Sequence, residues 1–375
     1  MFGGMSVAGL YIHFPFCRGK CPYCHFASEP WDASRAAVWR AGLDLELERS
    51  AGMGLSIETL YLGGGTPSLM GPEIVREVAE RVTTVLKADL REITLEANPG
   101  RLDPTRLTAW KEAGVSRLSL GVQSFDDRLL RLLGRDHTAA EAIRFYGACR
   151  DAGFDDIGID IMIGLPGEGE GRAAEVLDHV RRLEPDHVSV YILEETEGLP
   201  IEAALRADPP DEDVVASSVR AISLGLGGLG YEHYEISNFA RPGRRCLHNL
   251  KYWRYQPFLG LGPSACSLIG NRRWCNRQDL DGWARALGEK GDPRAEVVRL
   301  DPGRMAAEAL IFGLRLREGV RPSDLRTRFG IDVRERYAGP IAELAGEGWL
   351  EVDSDRLAVP EERWLLANHV FAKFV

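Results

Sequence analysis

Three cysteines, Cys17, Cys21 and Cys24, stand in the run Phe14-Pro15-Phe16-Cys17-Arg18-Gly19-Lys20-Cys21-Pro22-Tyr23-Cys24-His25-Phe26. The chain has seven cysteines among 375 residues. A chance C-x3-C-x2-C triplet is then expected on the order of 0.002 times, so the spacing calls for a chemical reason. Three thiols on one loop cannot all pair off as disulfides. As thiolates they suit three irons of a [4Fe–4S] cluster, for which Cys is the usual ligand. The fourth iron would lack a protein ligand and stay open to a substrate, as a catalytic metal position does. Zinc is the rival metal, but it wants a fourth protein ligand, and His25 adjoins Cys24 too tightly to chelate easily. Plain structural thiols are the remaining reading.

Positioning such a loop requires a scaffold, and the sequence supplies a repeating one. Six short β-rich runs, approximately Gly9–Phe14, Glu58–Leu62, Glu92–Glu96, Arg117–Val122, Ile157–Ile163 and His187–Leu193, are each followed by helix-forming sequence. Asp32–Ala51 is one such stretch, with Ala36, Val38, Leu43, Leu45 and Leu47 as its expected buried stripe; Pro72–Leu86 is another. Alternating strands and helices imply a parallel sheet covered by helices. Polar and glycine-rich segments close almost every run: the Cys cluster, Gly63-Gly64-Gly65-Thr66-Pro67, Glu96-Ala97-Asn98-Pro99, Gln123-Ser124, Asp160 with Gly164-Leu165-Pro166-Gly167, and Glu194-Glu195. Any one of them could be turn punctuation. Together they converge on one rim, where parallel α/β barrels build their sites. The expected fold is α/β: an incomplete (β/α)6 TIM-like barrel over residues 1–230. Residues 231–300, rich in Tyr, Trp, Arg and Gly, are expected to extend its wall. Residues 301–375 read as a small winged-helix-like α+β domain, with helices at Met305–Leu316, Ser323–Phe329 and Arg334–Glu347 before a hairpin at Trp349–Val352 and Leu357–Val359.

Composition narrows the function classes. Apolar residues are 45% and charged residues 27%, ordinary globular proportions that allow a sizeable core. The net charge of −10 argues against a broad nucleic-acid surface, which needs a basic stripe; residues 301–375 mix signs. No apolar run approaches a membrane span, and no basic residue precedes Arg18, so the start makes a poor secretory signal. An integral membrane protein is not expected. The sparse, odd cysteine count fits a reducing cytoplasm, with room for peripheral attachment at a membrane.

The C-x3-C-x-aromatic-C run after the first strand resembles the radical S-adenosylmethionine enzymes. In that family the unligated iron chelates S-adenosylmethionine, and its incomplete six-unit barrel matches the unit count. Gly63-Gly64-Gly65-Thr66-Pro67, Glu96-x-Asn98-Pro99, Gly121-Val122-Gln123-Ser124-Phe125, Leu133-Gly134-Arg135-Asp136-His137 and Asp160 with Gly164-Leu165-Pro166-Gly167 resemble, in order, the oxygen-independent coproporphyrinogen oxidase group over roughly residues 10–270. The resemblance implies that Tyr11, Tyr23, Gly64, Gly65, Thr66, Glu96, Gln123, Arg135, Asp160 and Ile192 line an S-adenosylmethionine site. The residue types agree. Glycines let the backbone approach the methionyl end, the carboxylates and amide accept from amine and ribose hydroxyls, Arg135 can pair with the carboxylate, and Tyr23 can pack on adenine.

Within that group the oxidase pattern carries a further Cys two places after the third ligand, where this chain has Phe26. It also carries a longer segment before the cluster, where sixteen residues precede Cys17 here. Both features resemble instead the HemW-type haem chaperones, which deliver haem to respiratory apoproteins at a membrane surface. His248-Asn249-x-x-Tyr252-Trp253 is similar to the haem-binding motif of that subgroup. An imidazole is a common haem ligand, the two aromatics can stack on a macrocycle, and Arg241, Arg244, Arg245, Lys251 and Arg254 can meet propionates. Cys246 is a second candidate ligand; a hydrogen-bonded barrel-wall histidine beside a solvated arginine face is the other reading. The resemblance implies a [4Fe–4S] cluster, S-adenosylmethionine and haem, plus an electron donor for the cluster. A radical oxidase acting on a tetrapyrrole is the alternative. Two positions depart from the subgroup's pattern: His25 stands where Asp is usual, and Cys266 where a loop commonly ends in His.

Overall fold

The computed structural model describes residues 6–100, 103–194 and 197–375; Glu195, named above at a strand end, lies outside them. The strands run β1 (Ser6–Phe14), a short clip of β2 (Phe16–Cys17) with β3 (Glu29–Pro30), then β4 (Leu55–Gly64), β5 (Glu92–Ala97), β6 (Arg117–Gln123), β7 (Ile157–Ile163) and β8 (His187–Ile192). β1, β4, β5, β6, β7 and β8 pair in that order, all parallel. These are the six expected runs, and the helices between them cover their outer faces: α1 (Ala33–Ser50), α2 (Pro72–Leu86), α3 (Pro104–Glu112), α4 (Asp127–Leu132), α5 (Ala139–Asp151) and α6 (Arg172–Leu183), then α7 (Glu202–Ala207) and α8 (Glu212–Gly228).

Alternation along each strand sorts the side chains between two environments. Leu60, Leu62, Leu95, Leu118, Leu120, Ile159, Ile161 and Val188 are buried in one continuous apolar core with the helices. The intervening Tyr61, Glu96, Ser119, Asp160, Ser189 and Tyr191 face a cavity on the other side of the sheet. The barrel therefore has an oily outside and a polar lumen.

Beyond residue 230 the wall grows from both edges. β9 (Glu232–Glu235) and β10 (Asn238–Ala240) add antiparallel to β8. After α9 (Leu247–Trp253), β11 (Phe258–Leu261) joins β1 in parallel. β12 (Cys266–Ile269), β13 (Arg272–Asn276) and, after α10 (Leu280–Gly288), β14 (Arg294–Arg299) continue antiparallel, completing a sheet of twelve strands that ends at β14 and β9. Cys266 and Cys275 face each other across β12 and β13 and form a disulfide. Spacing along the chain gave no sign of it, because a hairpin's register decides which residues oppose.

Two expectations need correcting. On α1 the buried face is Ala36, Trp39, Leu43, Glu46, Leu47 and Ser50, whereas Val38 and Leu45 are 39% and 44% exposed. At about 100° per residue, those two fall opposite the stripe that Ala36, Leu43 and Leu47 define, so their apolar character was misleading. The single helix expected over Arg334–Glu347 is two, α13 (Val333–Arg336) and α14 (Ala338–Gly346), which follow α11 (Pro302–Gly313) and α12 (Pro322–Phe329). Pro340 has no amide hydrogen for the preceding turn and clashes with it, so it sits in the first turn of a new helix. The hairpin β15 (Glu351–Asp353) and β16 (Arg356–Ala358) follows, with Val320 bridging Leu357 as a third strand position, and α15 (Asn368–Phe371) closes the C-terminal domain. Leu310, Leu314, Leu325, Val333, Leu344, Leu357 and Phe374 form its separate core, which also takes in Tyr255 and Leu268. Among the described residues no helix is long and apolar enough to cross a membrane.

Candidate functional site

The rim of the barrel, where the parallel strands end, opens into a cavity of about 420 Å³. Cys17, Cys21 and Cys24 all line it. Their loop is pinned at its base. Glu29 and Trp31 donate backbone N–H groups to the carbonyls of Pro15 and Cys17, at 2.8 Å each, and Phe16 is fully buried against Phe14 and Trp31. Thr66 Oγ1 lies 3.5 Å from Cys17 Sγ, and Arg135 Nη1 lies 3.7 Å from Cys21 Sγ. Burial pushes the Cys24 thiol pKa up, and the charges of Cys21 and Cys17 add to it. Among the described residues no three His, Cys, Asp or Glu side chains converge on one ion position. A cluster takes one thiolate per iron and needs no such convergence. Three thiols on one loop suit three irons of a [4Fe–4S] cluster, whereas a structural zinc takes four protein ligands.

Beside the thiols the backbone comes close because side chains are missing. A Cβ on Gly65 would lie 2.5 Å from the Phe16 carbonyl oxygen and 3.0 Å from Cys17 Sγ. Gly64 has φ +116°, and a Cβ there would meet His13 at 2.7 Å. A Cβ on Gly121 would crowd Gln123, Arg135 and Asn98. These glycines keep open the space that polar groups occupy. Glu96 accepts from Tyr61 OH at 2.9 Å and from the Gly64 amide at 3.1 Å. Burial raises its pKa to about 7, with the Asp160 charge adding to the rise against the two hydrogen bonds. Asp160, held by Ser119 Oγ at 3.3 Å, is also raised by burial. Arg135 donates through Nη2 to Asn98 Oδ1 and the Gly121 carbonyl, both at 2.7 Å; its Nε is buried without a partner among the described residues.

Of the ten residues expected around S-adenosylmethionine, Tyr23, Gly64, Gly65, Thr66, Glu96, Gln123, Arg135, Asp160 and Ile192 line this cavity. Tyr11 is not on this lining, although it stands on the same face of the sheet as Tyr61, the ring centroids 6.1 Å apart, with its hydroxyl 3.0 Å from His13 Nδ1. The sequence reading missed Tyr61, Arg117, Ser119, His187, Ser189 and Tyr191, all on the same lining. Most carried a legible signal: polar residues at every second position of a strand, as in Arg117-x-Ser119 and His187-x-Ser189-x-Tyr191.

The His248 motif lies at the opposite end. Its helix α9 plugs the floor of the barrel, where the strands begin. Glu92, the first residue of β5, accepts the Leu247 and His248 amides at 2.9 Å each and caps the helix. Gly9 leaves room for it, since a Cβ would lie 3.0 Å from the His248 ring. Both His248 ring nitrogens are engaged, Nδ1 with Thr59 Oγ1 at 2.9 Å and Nε2 with Tyr252 OH at 2.8 Å. Burial, with the Lys251 charge, drops its pKa to about 3. Asn249 and Cys246 line the cavity floor, and burial pushes the Cys246 thiol up to about 12. Trp253 turns away and stacks under Arg315 at 4.5 Å, toward the C-terminal domain. The nearby cations all have acidic partners: Arg241 with Glu184, Arg244 with Asp186, Arg245 with Glu232, Lys251 with Glu58, and Arg254 with Glu318.

Comparison with known proteins identifies the family. Residues 11–180 match the model of the radical SAM superfamily, and residues 300–366 match the HemN C-terminal domain. The chain is 30% identical to "Heme chaperone HemW" of Bacillus subtilis, covering 97% of this chain and 98% of that one. It is 33% identical to "Heme chaperone HemW" of Mycobacterium tuberculosis, covering 96% and 93%. Among solved structures, the Escherichia coli coproporphyrinogen III oxidase HemN superposes with a TM-score of 0.85 at 23% identity, over 99% of this chain and 90% of that one, which speaks for the fold. The chain is therefore a member of the radical SAM superfamily and, within it, of the HemW-type haem chaperone family.

Proposed function

We propose that this chain is a haem chaperone that carries a [4Fe–4S] cluster on Cys17, Cys21 and Cys24, binds S-adenosylmethionine beside it, and passes haem to respiratory apoproteins. The observation that carries the reading is the joint lining of one rim cavity by the three thiols, the Gly64–Thr66 cradle, Glu96, Arg135 and Asp160. The full-length likeness to proteins named for haem chaperoning and Phe26 in the place of the oxidase's further Cys favour haem handling over oxidation of a porphyrinogen. When bound, such a cluster supplies one-electron chemistry toward the sulfonium of S-adenosylmethionine. The protein's part is to orient. Glu96 and Asp160 accept from the amine and ribose hydroxyls, Arg135 offers its spare Nε–H to the carboxylate, and the glycines hold the methionyl end against the backbone. We place the chain in the cytoplasm, attached peripherally where it meets its acceptor, with a separate electron donor.

The test is anaerobic reconstitution of the full chain, followed by haem addition and transfer to an apo-oxidase, with 5′-deoxyadenosine assayed in parallel. Haem uptake and transfer are expected. Cys17→Ala, Cys21→Ala and Cys24→Ala should each abolish stoichiometric iron and sulfide. A cluster-loaded protein that takes up no haem would sink the reading; a decarboxylated porphyrinogen among the products would replace it with the oxidase.

A further inference from the structure

The seven cysteines fall into three groups. Cys17, Cys21 and Cys24 line the rim cavity. Cys149 and Cys246 are buried, and burial pushes each thiol up to about 12, so neither yields the thiolate that reacts. Cys266 and Cys275 are left, and they are bonded to each other. A reducing cytoplasm keeps most thiols free, so a bonded pair there needs a reason.

The hairpin dictates the pairing. Asn276 donates its backbone N–H to the Ala265 carbonyl at 2.9 Å. Antiparallel strands alternate hydrogen-bonded and non-hydrogen-bonded pairs, and the second kind brings facing residues closest. Cys266 and Cys275 are the next pair along, and their Cα atoms are 3.9 Å apart. With β11 and β14 on either side of β12 and β13, the sheet holds the two sulfurs face to face whether or not they are joined. Closure is then an intramolecular step between oriented groups. Cys266 is exposed and Cys275 half-buried, so a small reagent can reach a sulfur. Exposed disulfides are the labile class, unlike the structural bonds of secreted proteins.

The position gives the bond a consequence. Side chains alternate along each strand, so Ser267, Ile269, Trp274 and Asn276 share one face of the hairpin, and Cys266, Leu268, Arg273 and Cys275 the other. The first face meets the barrel: Trp274 belongs to its core, and Asn276 donates to Glu46 of α1 at 2.7 Å. The second meets the C-terminal domain: Leu268 belongs to that core, and Arg273 pairs with Glu308 of α11 at 2.9 Å. The hairpin is a wall shared by two cores, and the bond staples its strands on the side of the C-terminal domain.

We propose that Cys266 and Cys275 are a site of reversible thiol–disulfide exchange with a small disulfide of the glutathione class, and that the bond stiffens the seam between barrel and C-terminal domain. The Cys266 thiolate attacks one sulfur of the small disulfide, forms a mixed disulfide and expels one thiol. The Cys275 thiolate then attacks Cys266 Sγ and expels the second. The two cysteines lose two electrons and two protons, and the two departing thiols take them up. Excess small thiol runs the exchange backwards. The inference stands apart from the haem-chaperone reading.

The experiment equilibrates the anaerobically reconstituted full chain with reduced and oxidised glutathione at a series of ratios. Free thiols are trapped by alkylation, and the Cys266 and Cys275 peptides are quantified by mass spectrometry. The linked pair should replace two alkylated thiols as the oxidised form gains, and should open again when the ratio is reversed. A bond that spans nine positions restrains the unfolded chain modestly, so oxidation should raise the unfolding midpoint by about 3–6 °C. Hydrogen exchange in β12, β13 and α11 should slow. C266S and C275S should each show neither change. A pair that never links, or that stays linked at the most reducing ratio, overturns the exchange site. The same midpoint shift in C266S, or no slowing at the seam, overturns the staple. Should a serine variant fold poorly, the wild-type peptides and hydrogen exchange decide.

Discussion

The two ends of the barrel carry the same kinds of residue and put them to opposite uses. At the floor, His248, Lys251, Cys246 and Glu92 are buried, and each has a partner: Thr59 and Tyr252 for the imidazole, Glu58 for the amine, the α9 amides and the Cys246 thiol for the Glu92 carboxylate. At the rim, His25 and the spare Nε of Arg135 have no partner among the described residues, and Glu96 and Asp160 face the cavity. A histidine, a cysteine and some arginines close together in sequence can thus be tied to distant partners within the fold. The two ends differ in how much of the hydrogen-bonding capacity is already taken up within the fold.

The strongest way to break this contrast is at the floor. Glu92→Ala would leave the Leu247 and His248 amides uncapped and remove one of the anions whose charge acts on buried Arg117. Removing one partner from a buried charged network costs about 3–5 kcal/mol, so the urea midpoint should fall well below wild type. The protein that remains folded should still load its cluster, because the rim is untouched. A stability loss under about 1 kcal/mol would mean that α9 is not the plug described.

A smaller effect should appear at the rim, and it depends on pH. The Glu96 pKa is raised to about 7, so near neutrality the empty site holds a partly protonated carboxyl. A cationic ligand such as S-adenosylmethionine favours the carboxylate and must expel that proton below pH 7. Its affinity should be highest above pH 7 and fall by up to about tenfold per unit below it. In the ligand-free chain the same group acts oppositely: its stabilisation is complete below the ordinary carboxylate range and is lost as pH rises through about 7. Calorimetric titration at pH 6, 7 and 8 measures both affinity and proton release. Glu96→Gln should flatten the profile, and an equally steep profile in that variant would assign the proton elsewhere.

The contrast between rim and floor also explains how much was legible in advance. The six strands were readable because their β-branched and leucine runs are local signals, and their polar endings marked the rim correctly. The cysteine loop stood out because three thiols at so tight a spacing are rarely a chance arrangement. What could not be read were meetings across the chain. His248 meets Thr59, 189 positions away, and nothing in the local motif distinguishes a free imidazole from one clasped by a distant threonine. The same holds for Val38 and Leu45, apolar but on the solvent side of α1, and for Cys266, whose partner is fixed by hairpin register. Phe26 and His25 were noticed as departures from a pattern. Only the fold shows that the departure places an exposed ring pair at the mouth of the cavity.

The smallest effect expected is also the sharpest test of where the cargo sits. Arg241 and Arg244 form part of the basic patch beside α9, and their side chains are 38% and 41% exposed, paired with Glu184 and Asp186 at 3.6 and 3.9 Å. Exposed pairs of this kind contribute about 0–1 kcal/mol, so Arg241→Ala with Arg244→Ala should leave the unfolding midpoint nearly unchanged. Because their charge is already balanced by those acids, haem affinity should change little as well. If the double variant instead lost haem affinity by tenfold or more, the carboxylates of the cargo would belong beside α9. The floor would then be a site that opens to accept haem, and Tyr252 would have to release His248 for it to do so.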